Sequence, residues 1–311
     1  MERHSEDIPV KMTGRVLKMQ NSFYEVETEA GLITAKCRGR LKRSKRETSV
    51  LTGDIVSLTR LADGTGVIEE ALERKNILTR PPIANVDQVF VIFAAREPDI
   101  SLRLTDRFLV LVELAGIEDI VLCINKSDLM TDEIRSELER YREIGYPLLF
   151  VCAETGEGME ALASHAVGKV SVLAGPSGVG KSSLMNRMMR ASGSSMESEI
   201  LHATGAVSEK IKRGRHTTRF SALLSFAGGY LADTPGFSAT DFSGVDARDA
   251  ARCFPEFRAH LERCRYPDCT HSHEPMCAVK EAVQEGIIYE SRYDSYLQIL
   301  KECMEGRKGF R

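Results

Sequence analysis

The phosphate chemistry of this chain is concentrated in nine consecutive residues. Gly175-Pro176-Ser177-Gly178-Val179-Gly180-Lys181-Ser182 reads G-x-x-x-x-G-K-S, and Ser183 follows. Glycines let a backbone wrap closely round a phosphate with its N–H groups pointing inward, and a helix starting there adds favourable partial charge. Lys181 is expected to reach the β- and γ-phosphates and the Ser182 hydroxyl to ligate Mg²⁺. A second constellation, Asn125-Lys126-Ser127-Asp128, reads N-K-x-D. The Asp128 carboxylate can accept from guanine N1–H and the exocyclic amine together, whereas adenine offers no matching donor pair. Asn125 is expected to brace the loops and touch the base, and the Lys126 stem to cover the guanine face. The pair Cys152-Ala153 brings a backbone N–H towards O6. In Asp233-Thr234-Pro235-Gly236, Asp233 is expected to hold Mg²⁺ through water and the Gly236 N–H to sense the γ-phosphate.

Each motif needs a rigid strand before it, and the sequence supplies one. Apolar runs at residues 120–124, 148–151, 170–174 and 229–232 precede the four motifs, and helical patterns at 102–115, 131–144 and from Met159 alternate with them. Strands alternating with helices imply a mainly parallel sheet with ligand loops at the strands' C-terminal ends. In chain order the motifs of a GTPase run 4-5-1-2-3, the order of a circularly permuted GTPase. The polar stretch 191–219 between phosphate loop and D-T-P-G is the natural switch I, with Thr217 or Thr218 as a further Mg²⁺ ligand; Thr218 is preferred. Many GTPases place a water-orienting glutamine after the D-x-x-G glycine. Here that residue is Phe237, so intrinsic hydrolysis is expected to be slow. His216 is one candidate to polarise the attacking water; a partner-supplied group is the other.

Residues 10–78 read as short strands (14–19, 22–28, 31–37, 54–60 and 66–71) separated by turn residues, the pattern of a small OB-type barrel. Between the third and fourth strands, seven of eleven residues are basic: Lys36, Arg38, Arg40, Lys42, Arg43, Lys45 and Arg46. A solvated loop explains such a run, but its density on a barrel of this type favours phosphate-directed, salt-sensitive RNA contact. Phe23 and Tyr24 are the aromatic pair available for stacking. Near the other end, Cys264-x4-Cys269-x-His271-x5-Cys277 has the ligand types of a closed, structural Zn²⁺ site, though spacing alone leaves His273 open as the imidazole ligand. Flanking residues 247–263 and 278–305 read as helical. The chain has 311 residues, eight cysteines and a net charge of −3. It is no disulfide scaffold, and any nucleic-acid binding must come from a local patch. No run has the length of a membrane span and residues 1–9 are polar, so a cytoplasmic protein without membrane contact is expected.

Taken together, residues 175–183 (G-P-S-G-V-G-K-S-S), 214–219 (G-R-H-T-T-R), 233–237 (D-T-P-G-F) and 264–279 (C-R-Y-P-D-C-T-H-S-H-E-P-M-C-A-V) resemble the RsgA (YjeQ/YloQ) family of small ribosomal subunit biogenesis GTPases. The resemblance covers about residues 14–300 and selects Cys264, Cys269, His271 and Cys277 as the zinc ligands. One departure is Cys152, where the guanine loop usually has serine; little consequence is expected, because the key contact there is from the backbone. The resemblance implies an α/β multidomain protein: an OB-type barrel (1–78), a circularly permuted GTPase with a mainly parallel sheet and flanking helices (79–243), and a helical zinc-binding domain (244–311). It implies GTP and GDP as ligands, slow hydrolysis stimulated by the small subunit, contact with 16S rRNA, and release of other assembly factors, by a protein acting as a monomer. Because switch II leads almost directly into the zinc domain, loss of the γ-phosphate is expected to alter that domain's orientation. Two readings compete with this one: a protein-regulated signalling switch with a merely solvated basic loop, and an RNA-binding factor with a vestigial GTPase site.

Overall fold

Alternating apolar and polar residues build a closed barrel from β1 (Val10–Gln20), β2 (Phe23–Thr28), β3 (Gly31–Cys37), β4 (Ile55–Arg60) and β5 (Gly66–Ala71). The computed structural model describes residues 10–20, 22–38, 49–79, 81–193, 222–234, 242 and 244–308. Barrel order is β1-β2-β3-β5-β4, with β3 and β5 parallel and the other pairs antiparallel. Inward residues Val16, Tyr24, Val26, Ile33, Ala35, Val56, Leu58 and Ile68 form its core, as expected when one face of each strand is buried. A bulge lies between Val16 and Lys18. Past the end of the β4 pairing, the same edge of β1 takes another segment: Leu223 N–H donates to the Leu17 carbonyl at 2.8 Å and Ala222 is bridged to Lys18.

After the barrel, the stretch N-I-L-T-R-P-P contributes to a two-stranded hairpin of β6 (Ile77–Thr79) and β7 (Pro82–Ala84). Leu78 and Ile83 are buried, and the Asn76 side chain bonds both the N–H and the carbonyl of Val86. Burial of alternate residues outweighed the two prolines, the first strand residue being a position that proline tolerates.

The central sheet contains β8 (Gln88–Ala94), β9 (Asp119–Asn125), β10 (Leu148–Phe150), β11 (Val170–Ala174), β12 (Leu224–Phe226) and β13 (Gly229–Asp233) in the order β10-β9-β8-β11-β13-β12. β10–β9 and β11–β13 pair parallel and β12–β13 antiparallel. All of β8 and β11 is buried, so both are apolar except at Gln88 and Ser171, where the Ser171 hydroxyl donates to the Gln88 side chain at 3.3 Å. Helices α1 (Leu102–Leu114), α2 (Asp132–Ile144), α3 (Met159–Ala166) and α4 (Lys181–Ala191) occupy the expected places. By its internal contacts the chain divides into two compact units, residues 1–88 with 163–173 and 185–235, and residues 89–162 with 174–184 and 236–311.

The C-terminal segment is more broken than its helical pattern suggests. α5 (Ala247–Arg252) is followed by a single 3-10 turn that starts at Pro255 and then by α6 (Arg258–Leu261). α7 (Ala278–Gln284) and α8 (Glu290–Lys308) are separated around Gly286, whose φ of +73° ends the helix. Phe254, Phe257 and Tyr296 pack ring against ring at 5.0 to 5.5 Å. Arg292, fully buried, bonds Asp106 of α1 at 2.7 Å and Glu256 at 2.6 Å. Burial alone would lower its pKa, but the two carboxylates hold it charged, well above its ordinary value. Ser295 and Tyr141 also donate to Asp106. The segment is therefore fastened to α1, and a reorientation of it would have to carry α1 along.

Candidate nucleotide site and metal centre

Asn125, the last residue of β9 and buried, ties three loops together. Its amide donates to the Val179 carbonyl in the phosphate loop at 2.8 Å. Its Oδ1 accepts the Ala153 N–H at 3.1 Å. The bracing role expected of it is thus visible, and the Ala153 N–H expected beside guanine O6 is donated to Asn125. Glycine is required where the loop passes over these supports. A Cβ on Gly180 (φ +91°) would collide with the Asn125 amide, and one on Gly175 with the Ile92 carbonyl. Lys181 turns back over the loop, donating to the carbonyls of Gly175 at 2.9 Å and Pro176 at 2.7 Å. Ser177, Gly178, Ser182 and Ser183 are exposed around the mouth of the loop, Pro176 is partly covered, and Val179 is buried beneath it.

The guanine-reading loop is positioned by contacts that the sequence did not reveal. Lys126 has a left-handed backbone (φ +57°) and its ammonium donates to the Glu97 carbonyl. Ser127 donates to the Glu157 carboxylate at 2.7 Å, and the Glu157 carbonyl accepts the Cys152 N–H at 2.9 Å. The exposed Asp128 carboxylate accepts the Cys152 thiol at 3.0 Å, and the Thr155 N–H reaches the same sulfur at 3.4 Å. Cys152 thus meets that carboxylate with its side chain as well as bonding Glu157 through its backbone.

Asp233 ends β13 in register with Leu173, two residues before Gly175, and Thr234 donates to the Leu173 carbonyl at 2.8 Å. Ser182 and Asp233 each carry an oxygen of the hard type that Mg²⁺ prefers. Gly236 and Phe237 lie outside the described residues, as do His216, Thr217 and Thr218. So do Arg40, Lys42, Arg43, Lys45 and Arg46 of the basic run. Its described members are exposed: the Lys36 ammonium is 4.5 Å from the Phe23 ring centre, and Arg38 pairs with Glu69.

Cys264, Cys269, His271 and Cys277 come together, with all four ligand atoms within 4.8 Å of one another. Sγ of Cys264 and Cys277 are 3.8 Å apart, and each lies 3.4 to 3.5 Å from His271 Nδ1. A tetrahedral zinc with ordinary bond lengths has S–S edges of about 3.8 Å and S–N edges of about 3.5 Å, so the donor set fits that ion. His273, the alternative that spacing left open, is 80% exposed at its side chain and outside the cluster. Burial pushes the Cys269 thiol up to about 12 and the Cys277 thiol above its usual value, and lowers the His271 pKa. Metal binding here must therefore expel thiol protons but meets a neutral imidazole. The ligand loop is shaped by Glu274, which accepts from Thr270 N, Thr270 Oγ1 and Ser272 N at 2.7 to 3.1 Å. Burial opposes it, but these bonds draw its carboxyl down to about 2. Tyr293 and Tyr296 donate to the carbonyls of His271 and Thr270. None of these supports was singled out from sequence: the tyrosines reach the loop from α8, 22 and 26 positions away, and Glu274 acts within the loop itself.

Comparison with known proteins agrees with the geometry. The sequence profile of the RsgA GTPase matches residues 71–243 and that of the RsgA N-terminal domain residues 13–68. A Clostridium perfringens protein named small ribosomal subunit biogenesis GTPase RsgA is 43% identical over 297 residues, covering 95% of this chain and 99% of that one. A Bacillus cereus protein of the same name is 42% identical over 296 residues, 94% and 97% of the two chains. Among solved structures, YloQ, described as a circularly permuted GTPase, superposes with a TM-score of 0.77 at 33% identity over 98% of both chains. YjeQ from Thermotoga maritima gives 0.77 at 36% identity over 95% of this chain and 99% of its own. With the permuted motifs, the barrel and the cysteine–histidine cluster all in place, the chain belongs to the RsgA GTPase family.

Proposed function

We propose that this chain hydrolyses GTP in the service of small ribosomal subunit biogenesis, slowly by itself and faster when bound to the subunit, with hydrolysis coupled to release of assembly factors and of the protein. The observation that carries the reading is the Asn125 side chain, which joins the phosphate loop to the guanine loop through Val179 and Ala153. Such a tie is useful when one ligand must be gripped at both its base and its phosphates.

In this reading Asp128 accepts from the two guanine donors while the Cys152 thiol fixes its rotamer. Lys181 exchanges the carbonyls of Gly175 and Pro176 for phosphate oxygens. Magnesium, held by Ser182, by Asp233 through water and by Thr218, neutralises charge on the β- and γ-phosphates. Phe237 offers no group to orient water, so His216 or a group from the subunit does so. The zinc cluster has four protein ligands and no open position, hence a structural role. We assign residues 1–78 to RNA contact through the barrel and the run from Lys36 to Arg46, residues 79–243 to the GTPase, and residues 244–311 to the zinc domain. Among the described residues no helix is long and apolar enough to cross a membrane, and a monomer acting in the cytoplasm suits the reading.

The test is GTP turnover by the purified protein alone, with small subunits, and with large subunits and naked RNA as controls. Stimulation by small subunits only is the expected result. Turnover indifferent to small subunits would sink the reading in favour of a protein-regulated switch.

A further inference from the structure

We propose that the outer face of the barrel around Phe23 is a stacking site for one unpaired nucleotide of RNA. This rests on the reading that the protein works on the small subunit, and it adds a place where a base, not only a phosphate, is met.

The site follows from strand register. Gln20 lies opposite Phe23 and Lys18 opposite Glu25 across β1–β2, while Phe23 lies opposite Lys36 and Glu25 opposite Thr34 across β2–β3. Residues directly opposite share a face, so these six side chains stand together on the outside of the barrel. The sequence offered Phe23 and Tyr24 as an aromatic pair, and the pleat separates them. Tyr24 is 9% exposed and belongs to the barrel core, whereas Phe23 is 44% exposed and contributes nothing to it. Beside Phe23 lies an open cleft of about 230 Å³ lined by Lys18, Gln20, Phe23, Glu25 and Thr34. The Lys36 ammonium sits 4.5 Å from the ring centre.

An exposed ring beside cations suits an unpaired nucleotide: the base stacks on Phe23 as Lys36 swings from over the ring to a phosphate, and Lys18, paired with Glu25 at 4.0 Å, can turn to the next one. Gln20, Thr34 and Glu25 offer donors and acceptors to the base edge. Because the cleft is open and every base has a π-face, the site tolerates sequence. It excludes duplex RNA, whose bases are stacked inside the helix. Lys36 and Lys18 supply the positive charge that makes RNA, not an apolar protein surface, the matching occupant, and further basic residues follow Lys36 in sequence.

The experiment measures binding of wild type, Phe23→Ala, Phe23→Trp and Lys36→Gln to small subunits, to a single-stranded ribo-oligonucleotide and to a blunt RNA duplex, over a range of salt. Loss of the ring is expected to weaken single-strand and subunit binding by about 5- to 150-fold, the range of one base–aromatic stack, with the salt slope and duplex binding unchanged. Phe23→Trp should bind as wild type, and Lys36→Gln should reduce the salt slope by about one. Unchanged single-strand affinity in Phe23→Ala, with wild type binding normally, overturns the proposal. So does a loss confined to whole subunits, which would mean that Phe23 meets a ribosomal protein. If wild type ignored small subunits but Phe23→Ala still lost the oligonucleotide, the stacking site would stand and the subunit reading would fall.

Discussion

The guanine loops and the cysteine–histidine cluster belong to one compact unit yet reach their geometry by opposite means. Asn125 and Asp128 hang from the end of β9, a strand buried from Ile120 onward, and hydrogen bonds hold the loops: the Ala153 N–H and the Cys152 thiol donate to these two side chains, and Ser127 donates to the Glu157 carboxylate. The zinc ligands come from a loop between a four-residue and a seven-residue helix. Helices that short do not support themselves. Their place is set by Glu274, by two tyrosines of α8 and by thiols that burial keeps protonated until metal arrives. The end of an interior strand gives preorganisation directly, whereas a thin helical segment draws it from a buried charge network and, in the proposed reading, from a metal ion.

The largest effect should follow removal of zinc. Cys277→Ser, or stripping the wild type with a chelator, should abolish stoichiometric zinc and open residues 244–308 to proteolysis, because structural zinc contributes on the order of 10 kcal/mol to comparable small domains. GDP affinity should stay within about threefold, since the two sites share no partner. A parallel collapse of nucleotide binding would break the comparison. Next comes Arg292→Met, which leaves Asp106 and Glu256 buried without their counter-charge and should cost about 3–5 kcal/mol in urea unfolding. The exposed pair of Arg38 with Glu69 offers a control: Arg38→Met should cost no more than about 1 kcal/mol. Asn125→Ala acts on the other region. It removes the hydrogen bonds that the Asn125 side chain makes to Val179 and Ala153, at about 1 kcal/mol each, so GDP affinity should drop at least tenfold while zinc content stays at one ion per chain.

What could be read from sequence divides along the same line. The phosphate loop, N-K-S-D and the zinc spacing were legible because their chemistry demands particular residues at fixed separations. The barrel strands and α1 to α4 were legible because their periodicity is local. The breaks at Pro255 and Gly286 were missed although both residues are visible breakers, since the apolar pattern on either side carried the helix through them. β12 is three residues long and has no periodicity to read. The link from Arg292 to Asp106 spans 186 positions, and that from Leu223 to β1 even more. Nothing local marks such partners; only the assembled fold brings them together. Cys152 is the instructive intermediate case. Its position was identified, but its side chain was discounted because the backbone was assumed to do the work.

That assumption yields the finest test of how preorganised the guanine end is. The Cys152 thiol lies 3.0 Å from Asp128 Oδ1 and is itself oriented by the Thr155 N–H. A thiol is a weak donor, so its loss in Cys152→Ala should cost about 1 kcal/mol, a roughly fivefold loss of GDP affinity. The ratio of GDP to ADP affinity should fall with it, because a carboxylate free to rotate no longer presents both oxygens to guanine. Cys152→Ser restores a stronger donor at nearly the same place and should equal or exceed wild type in both measures. If alanine and serine behaved alike, Asp128 would be aimed by the single 3-10 turn Ser127–Leu129 alone, and the guanine end would owe its geometry to backbone, without help from the side chains of the neighbouring loop.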